Sequence, residues 1–356
     1  MTNFINRPQE SNSLVTIKDI AKLAVVSHMT VSRALNGSSA VTPQTRDKIL
    51  AIAKEMNYTV NINAKSLVLR KKYSIGVVFS TLSPATAPTF VISCLKAIYQ
   101  NLAQDYNMVI QDLEQNVDNF NFSRVDGIIL ISQQESDDYF IDLALKHHTK
   151  LVVINRRVKK PVINITVDEI MGAKTAVELL IKQGYQQIAH INGPCNIQSS
   201  RDRHNGYRQA LYDAGIKTPR LYSQSASFSL AGGYEAMNKL LALPVIPDAV
   251  FCANDEIAIG ALKVINEQTN LTTKIAVVGF NNSEISLYSN PTLTTIQKPI
   301  LQMAERASQV LFELIEGKVI EPYTELLATQ LIMRDSTPLK LPNVDEVIIP
   351  NDTLVI

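Results

Sequence analysis

Residues 16–37 read TIKDIAKLAVVSHMTVSRALNG, and this stretch decides what kind of protein the chain encodes. Thr16 stands three residues before Asp19, the spacing of a capping box that opens a helix. Ile17, Ile20, Ala21 and Ala24 follow at helical spacing and form one apolar face. Ser27 caps a second short helix, on which Val31, Ala34 and Leu35 turn inward. His28, Met29, Thr30, Ser32, Arg33 and Asn36 are left facing out. That set holds short polar groups and an arginine with no acid, which suits the major groove of DNA. An ordinary exposed helix face mixes glutamate into its surface. Thr42-Pro43 then begins a third helix, with Thr as N-cap and Pro at the first helical position. Ile49, Ile52, Ala53 and Met56 give it the face that closes a three-helix head.

The charge distribution points the same way. Between residues 14 and 72 there are ten Lys/Arg and three acids, a charge of +7. The whole chain carries +1 and residues 1–13 balance through Arg7 and Glu10, so residues 73–356 carry −6. A basic head on an acidic body is the electrostatic footprint of a nucleic-acid module joined to something else.

At 356 residues with 46% hydrophobic content, the chain can fill two or three domains with full cores. No apolar run reaches the roughly 18 residues of a membrane span. The first ten residues lack the apolar stretch of a signal peptide, so a cytoplasmic protein with no membrane partner is expected. Cys94, Cys195 and Cys252 have neither disulfide nor metal-site spacing and read as reduced thiols, the first and last of them buried. No metal or cofactor is expected.

Beyond the head the pattern changes. Apolar runs at Ile75–Phe79, Gly127–Ile131, Leu151–Ile154, Ile188–Ile191, Ala249–Ala253 and Ile275–Gly279 read as strands. Amphipathic stretches near 89–104, 137–147, 169–183, 203–214, 231–242, 255–267 and 300–316 read as helices between them. Such alternation implies parallel sheets covered on both faces, here two doubly wound lobes. A ligand would sit at the carboxyl ends of the strands, in the cleft between lobes.

With these elements in place, the chain resembles the lactose/galactose repressor (LacI/GalR) family from about Thr16 to Thr337. The resemblance rests on Thr16-Ile-Lys-Asp-Ile-Ala, Thr30-Val31-Ser32-Arg33 and Leu35-Asn36-Gly37 in the head, and Ala64-Lys65-Ser66-Leu67 in the connector. It continues through Val125-Asp126-Gly127, Ile188-Ala189-His190-Ile191-Asn192-Gly193-Pro194, Asn254-Asp255, Val278-Gly279-Phe280 and Arg334-Asp335-Ser336-Thr337. It implies an α/β protein: an N-terminal three-helix helix-turn-helix head plus a two-lobed, doubly wound, periplasmic-binding-protein-like domain that dimerises. The expected boundaries are a leader at 1–13, the DNA-binding domain at 14–58, a hinge at 59–72, the effector and dimerisation domain at 73–337 and a tail at 338–356.

The chain also departs from the family. Val25 replaces the usual turn glycine, which strains the backbone if that position needs φ > 0. Val60 stands where the hinge often begins with proline. The stretch Asp112–Phe122 is too short and polar for the helix the family places there, leaving one face of the first lobe incomplete. The tail lacks a heptad pattern, so no tetramerising coiled coil is expected.

For DNA, His28 and Met29 are expected to reach base edges and Arg33 a guanine or a phosphate. The resemblance implies phosphate contacts for Thr16, Ser27, Thr30, Ser32, Asn36, Thr45, Tyr58 and Asn61. It also implies a hinge helix carrying Ala64 and Lys65, whose Leu67 wedges into the minor groove. For the ligand, it implies contacts from Ser80, Leu82 and Ala87 on the first βα loop, Arg203, an aromatic platform at Phe228, and Asn254. Asn155 and Asn281 stand where sugar-binding members carry Asp, and Lys298 where they carry Gln. Together with Arg156 and Arg203 these changes make the cleft less negative, which favours a hydroxylated ligand carrying negative charge, such as a sugar phosphate or sugar acid.

The expected function is therefore a dimeric, ligand-controlled transcriptional repressor of operator DNA. The alternatives are a regulator answering to a nucleobase or nucleoside, or a clamshell binding protein without regulatory role. An enzyme is not expected: no Ser-His-Asp order, metal cluster or paired carboxylates stand out, Gly232-Gly233 lies at a helix start, and His147-His148 at a polar helix end.

Overall fold

The computed structural model describes residues 15–35, 38–56, 58, 71–82, 86–268 and 274–339. The chain divides between Lys71 and Lys72 into two compact units. Expectations placed on the leader, on Asn36 and Gly37, on most of the hinge (Val60, Asn61, Ala64, Lys65 and Leu67) and on residues 340–356 lie outside the described residues.

The first unit holds helices α1 (Ile17–Ala24), α2 (His28–Leu35) and α3 (Pro43–Glu55). Their buried faces meet in one small core of Ile20, Ala21, Ala24, Val31, Ala34, Val41, Ile49 and Ala53, with Ile17, Leu35, Ile52 and Met56 packed against it. Asp19 accepts from both the backbone N–H (3.0 Å) and the hydroxyl (2.6 Å) of Thr16, which fixes the start of α1. The turn between α1 and α2 is left-handed at Val25, with φ 58° and ψ 46°. The strain foreseen for a β-branched residue at that position is therefore present, and the Val25 side chain lies in solvent, 84% exposed.

The second unit has two lobes. In the first, strands β1 (Ser74–Phe79), β2 (Asn107–Asp112), β3 (Gly127–Ile131), β4 (Lys150–Asn155), β5 (Ile163–Val167) and β11 (Thr324–Leu327) form a parallel sheet in the order β11-β5-β4-β3-β1-β2. In the second, β6 (Ile188–Asn192), β7 (Ser223–Ser225), β8 (Ala249–Cys252), β9 (Ala276–Asn281), β10 (Thr294–Gln297) and β12 (Gln330–Ile332) take the order β12-β10-β9-β8-β6-β7, with β12 antiparallel. Helices α4 (Pro88–Gln100), α5 (Leu113–Asn116) and α6 (Asp138–Lys146) belong to the first lobe. Helices α7 (Glu169–Lys182), α8 (Gln198–Asp213), α9 (Leu230–Leu241) and α10 (Asp255–Glu267) belong to the second. Helix α11 (Ile300–Ile315) returns to pack on α4, β3 and β4. The chain thus crosses between lobes three times, at Asp168, at Lys298-Pro299 and at Ala328-Thr329.

Between β2 and β3 there is one turn of α5 and two short 3-10 turns, as the polar stretch foretold. The sheet face is nevertheless covered. Phe120 and Phe122 (4.8 Å between ring centroids) pack with Phe140 of α6 at 5.2 and 5.5 Å, and Val78, Ile128, Leu130 and Val153 complete that core. Large aromatic rings fill the volume that a further helix would otherwise supply. His147 is exposed at the end of α6, as its polar surroundings indicated, and stacks one face on Phe122 at 4.6 Å. Cys94 and Cys252 are buried and Cys195 is exposed. Among the described residues no helix is long and apolar enough to cross a membrane.

Candidate functional site

In the head, α2 keeps its apolar side on the core and turns His28, Met29 and Arg33 outward, all exposed. Ser27 Oγ accepts from Thr30 N–H at 3.1 Å, and the two hydroxyls lie 2.9 Å apart, so the cap consumes part of the polar capacity of both. Thr16 is exposed at the start of α1, while Ser32, Thr45 and Tyr58 are half-buried. Thr42 accepts from Thr45 N–H (3.4 Å) and so caps the N-terminus of α3. Lys48 donates to the carbonyl of Ala24 (3.1 Å), closing the C-terminal end of α1. The exposed face of α2 carries a cation and no carboxylate, as the sequence indicated.

The cleft between the lobes closes around a cavity lined by Thr86, Ala87, Phe90, Gln133, Asn155, Ile197, Ser199, Arg203, Phe228, Asn254, Asn281 and Lys298. Seven of the ten expected ligand residues are among them: Ala87, Asn155, Arg203, Phe228, Asn254, Asn281 and Lys298. The other three are placed elsewhere. Ser80 is fully buried beneath the loop; it donates to Asp137 and accepts from Gln133 N–H at 2.6 Å. Leu82 is held by its backbone N–H to Asp112 (3.1 Å) and turns its side chain to the surface. Arg156 is drawn into an ion pair with Asp138, and its Nε donates to Ser132 (2.7 Å). The acids that capture these groups stand far from them in sequence.

Asn155 and Asn281 end β4 and β9, equivalent places in the two lobes, with φ of 78° and 110°. Asn and Asp are the non-glycine residues that best tolerate positive φ. The backbone therefore restricts the type at both positions, and at Asn155 the fold also selects the amide over the acid, because its Nδ2 donates to the Ser132 carbonyl at 2.8 Å. Asn254 caps α10 by accepting from Ile257 N–H (2.9 Å), and its Nδ2 is buried without a protein partner. Buried donors are ordinarily hydrogen-bonded, so this amide is available to a water or another group in the cavity. Phe228 reaches the cavity over Gly193, where an added Cβ would lie 2.3 Å from its ring.

Sequence reasoning missed Glu169. It lies at the first crossover, 3% exposed, and accepts from Arg203 Nε (2.8 Å) and Lys298 Nζ (2.7 Å). Lys298, at the second crossover, also donates to Asn155 Oδ1 at 2.6 Å and lies 5.1 Å from the centre of the Phe90 ring. Arg203 stacks over Phe280 at 3.8 Å and donates to the carbonyl of Ala253. Burial alone would raise the Glu169 carboxyl, but Arg203 and Lys298 outweigh it and hold it below the ordinary carboxylate range. Burial pulls the Lys298 ammonium down, against the opposing pull of Glu169. An acid in the first turn of a helix is ordinary in sequence, which is why Glu169 gave no signal.

The lobes are also joined at the rim. Gln198 N–H donates to the Gln133 carbonyl (2.8 Å), Arg201 meets Glu135 (3.2 Å), and Thr89 donates to Glu256. The cavity is about 40 Å³, smaller than the roughly 300–1,000 Å³ of ordinary ligand pockets. A second cavity of about 660 Å³ beside it shares Phe90, Asn281 and Lys298.

A helix-turn-helix head on a two-lobed binding domain is the architecture of ligand-responsive DNA-binding regulators. Comparison with known proteins agrees. Residues 16–61 match the family described as bacterial regulatory proteins, lacI family, and residues 177–337 match the periplasmic binding protein-like domain. The chain is 38% identical over 327 residues to the probable HTH-type transcriptional repressor ExuR of Bacillus subtilis, covering 91% of this chain and 98% of that one. It is similar in structure to the lac repressor dimer bound to operator and the anti-inducer ONPF (TM-score 0.76, 28% identity, 91% and 99% covered). It is also similar to the transcriptional regulator CelR in complex with cellobiose (TM-score 0.68, 27% identity, 90% and 99% covered). The chain belongs to the LacI family and is a transcriptional repressor of that family.

Proposed function

We propose that this repressor binds a roughly palindromic operator as a homodimer and is controlled by a hydroxylated ligand carrying negative charge. His28 and Met29 read base edges, and Arg33 reads a guanine or clamps a phosphate. Thr16, Ser27, Thr30, Ser32, Thr45 and Tyr58 hold the backbone. The operator-bound dimer of the similar lac repressor supports the first half of this reading. The exposed apolar residues Ile92 and Tyr99 on α4, beside Val109 and Ile110 on edge strand β2, offer a second copy a surface to cover. The chain acts by binding rather than catalysis, in the cytoplasm where its operator lies.

One observation carries the ligand half: two buried cations, Arg203 and Lys298, line the cavity, and no carboxylate does so among the described residues. The ring lies against Phe228, its hydroxyls meet Asn155, Asn281 and Asn254, and its anionic group meets Arg203. A charge-assisted bond of that kind contributes about 1.5–3 kcal/mol. The reading is tested by selecting an operator from random duplexes and then following its release by candidate ligands. Arg203→Ala should abolish the ligand response and leave operator affinity intact. A purified protein with no sequence preference at moderate salt would refute the operator half of the reading.

A further inference from the structure

The motif Val125-Asp126-Gly127 is used by neither the head nor the cleft. Asp126 stands just before β3, beside the point where the chain enters the second unit. Its carboxylate accepts from the backbone N–H of Lys72, at 2.8 and 2.9 Å to its two oxygens, and from that of Tyr73 at 2.7 Å. Bonds from amides to a carboxylate are charge-assisted and stronger than neutral ones. The ladder between β1 and β3 begins only at Ile75, which pairs with Gly127. The Asp126 side chain therefore holds residues that precede the strand, outside that ladder.

Tyr73 is the second sign of a built junction. Its φ is 52°, a left-handed backbone that a bulky residue seldom takes. Such a conformation persists only where its surroundings over-determine it, and it clusters at positions with a task. The surroundings here are Asp126, the N–H of Asn107, which donates to the Tyr73 carbonyl (2.9 Å), and two rings. The Tyr73 ring is buried 5.5 Å from that of Tyr106, which meets Phe312 of α11 edge-on at 5.0 Å. Asp126 is seated as firmly. Its neighbour Gly127 lies so close under α11 that an added Cβ would be 2.7 Å from Leu311.

We propose that Asp126 is a positioning residue for operator binding: by clamping the Lys72 and Tyr73 amides it aims the two connectors of a dimer and so sets the half-site spacing that the dimer accepts. This rests on the dimer-and-palindrome reading above. The first head to reach a half-site gains nothing from the clamp. The second binds as a tethered group, at an effective concentration set by the length and stiffness of its connector. A fixed exit concentrates the second head at one spacing, and a free exit spreads it over many.

The test uses the full-length protein and fluorescence anisotropy on three duplexes. They are the palindrome selected from random sequence, the same palindrome with two base pairs added at its centre, and a duplex with a single half-site. The wild type should prefer the selected palindrome over the respaced one at least about tenfold. Asp126→Ala should cut that preference to about threefold or less and leave affinity for the single half-site within about twofold. Asp126→Asn, which offers one acceptor oxygen to two amides, should act in the same direction. If Asp126→Ala does not fold, Asp126→Asn decides, together with hydrogen exchange at the Lys72 and Tyr73 amides, which should be slower in the wild type. A spacing preference that neither variant changes overturns the proposal, as do amides that exchange equally fast in the wild type and Asp126→Asn. Equal losses on the palindrome and the single half-site overturn it too, because a merely damaged protein behaves that way. A wild type that reads sequence but accepts both spacings alike refutes it while the operator reading stands. A wild type with no sequence preference removes the operator reading and this proposal together.

Discussion

The head and the cleft solve opposite problems. On α2 the side chains proposed to read DNA stand in solvent, held in place by a small core beneath them and by short-range caps. In the cleft the working side chains are buried and tied to one another: Arg203 and Lys298 are each 3–5% exposed and share one carboxylate. An exposed reader can be exchanged with little effect on folding, since it loses no internal partner. A buried charge cannot, because its partner is left behind. In the head, function and stability are therefore separable; in the cleft they are the same set of bonds.

The strongest challenge to that contrast is Glu169→Ala. It strands two buried cations and should destabilise the two-lobed unit by about 3–5 kcal/mol. Urea denaturation followed by circular dichroism measures it, and a loss under 1 kcal/mol would mean the cluster is not a structural bond set. Arg33→Ala probes the other side. Operator affinity should fall by about 1–3 kcal/mol if Arg33 reads a base, while the denaturation midpoint stays put. A shifted midpoint would show that the exposed face of α2 also holds the head together.

A third experiment uses pH. His190 is buried against Phe251 and Tyr207, and burial pushes its imidazole down from 6.5 to about 3. The unfolded chain takes up that proton below pH 6.5 and the native one does not until about pH 3. The contribution is complete above pH 6.5 and is lost as pH falls, reaching about 2 kcal/mol by pH 5. Thermal melting at pH 7.5 and 5 should show a smaller difference in His190→Gln than in the wild type. His204, also lowered by burial, supplies part of the slope that remains. An unchanged difference would remove His190 from the account. The smallest effect is at Val25, whose left-handed backbone a glycine adopts without strain. Val25→Gly should stabilise the head by about 1 kcal/mol and leave operator affinity unchanged, read by melting of a fragment and by gel shift.

Much of the fold was legible in the sequence. The apolar run Gly127–Ile131 is a strand with those bounds, and the helix expected at 255–267 is Asp255–Glu267. These segments are buried deeply enough for hydrophobicity alone to mark them. Strands β2, β7, β11 and β12 escaped because they lie at sheet edges, with exposed and half-buried residues such as Asn107, Thr324 and Gln330. Their pairing comes from a neighbour's free backbone rather than from their own side chains. Strands β5 and β10 escaped although interior, because Asn164, Thr166, Thr294 and Thr295 break their apolar runs.

The sequence by itself determined the head. Its caps, faces and outward residues are set by groups three or four positions apart, and such contacts form wherever the helix forms. It also named Arg203, Phe228, Asn254, Asn155, Asn281 and Lys298 for the cleft. Only the tertiary structure decided what those residues do there. Glu169 and Lys298 are far apart along the chain and meet because both lie on the segments that cross between lobes. Arg156 was lost to Asp138 in the same way. A buried charge takes the partner that the fold brings within a hydrogen bond, and spacing along the chain does not reveal which partner that is.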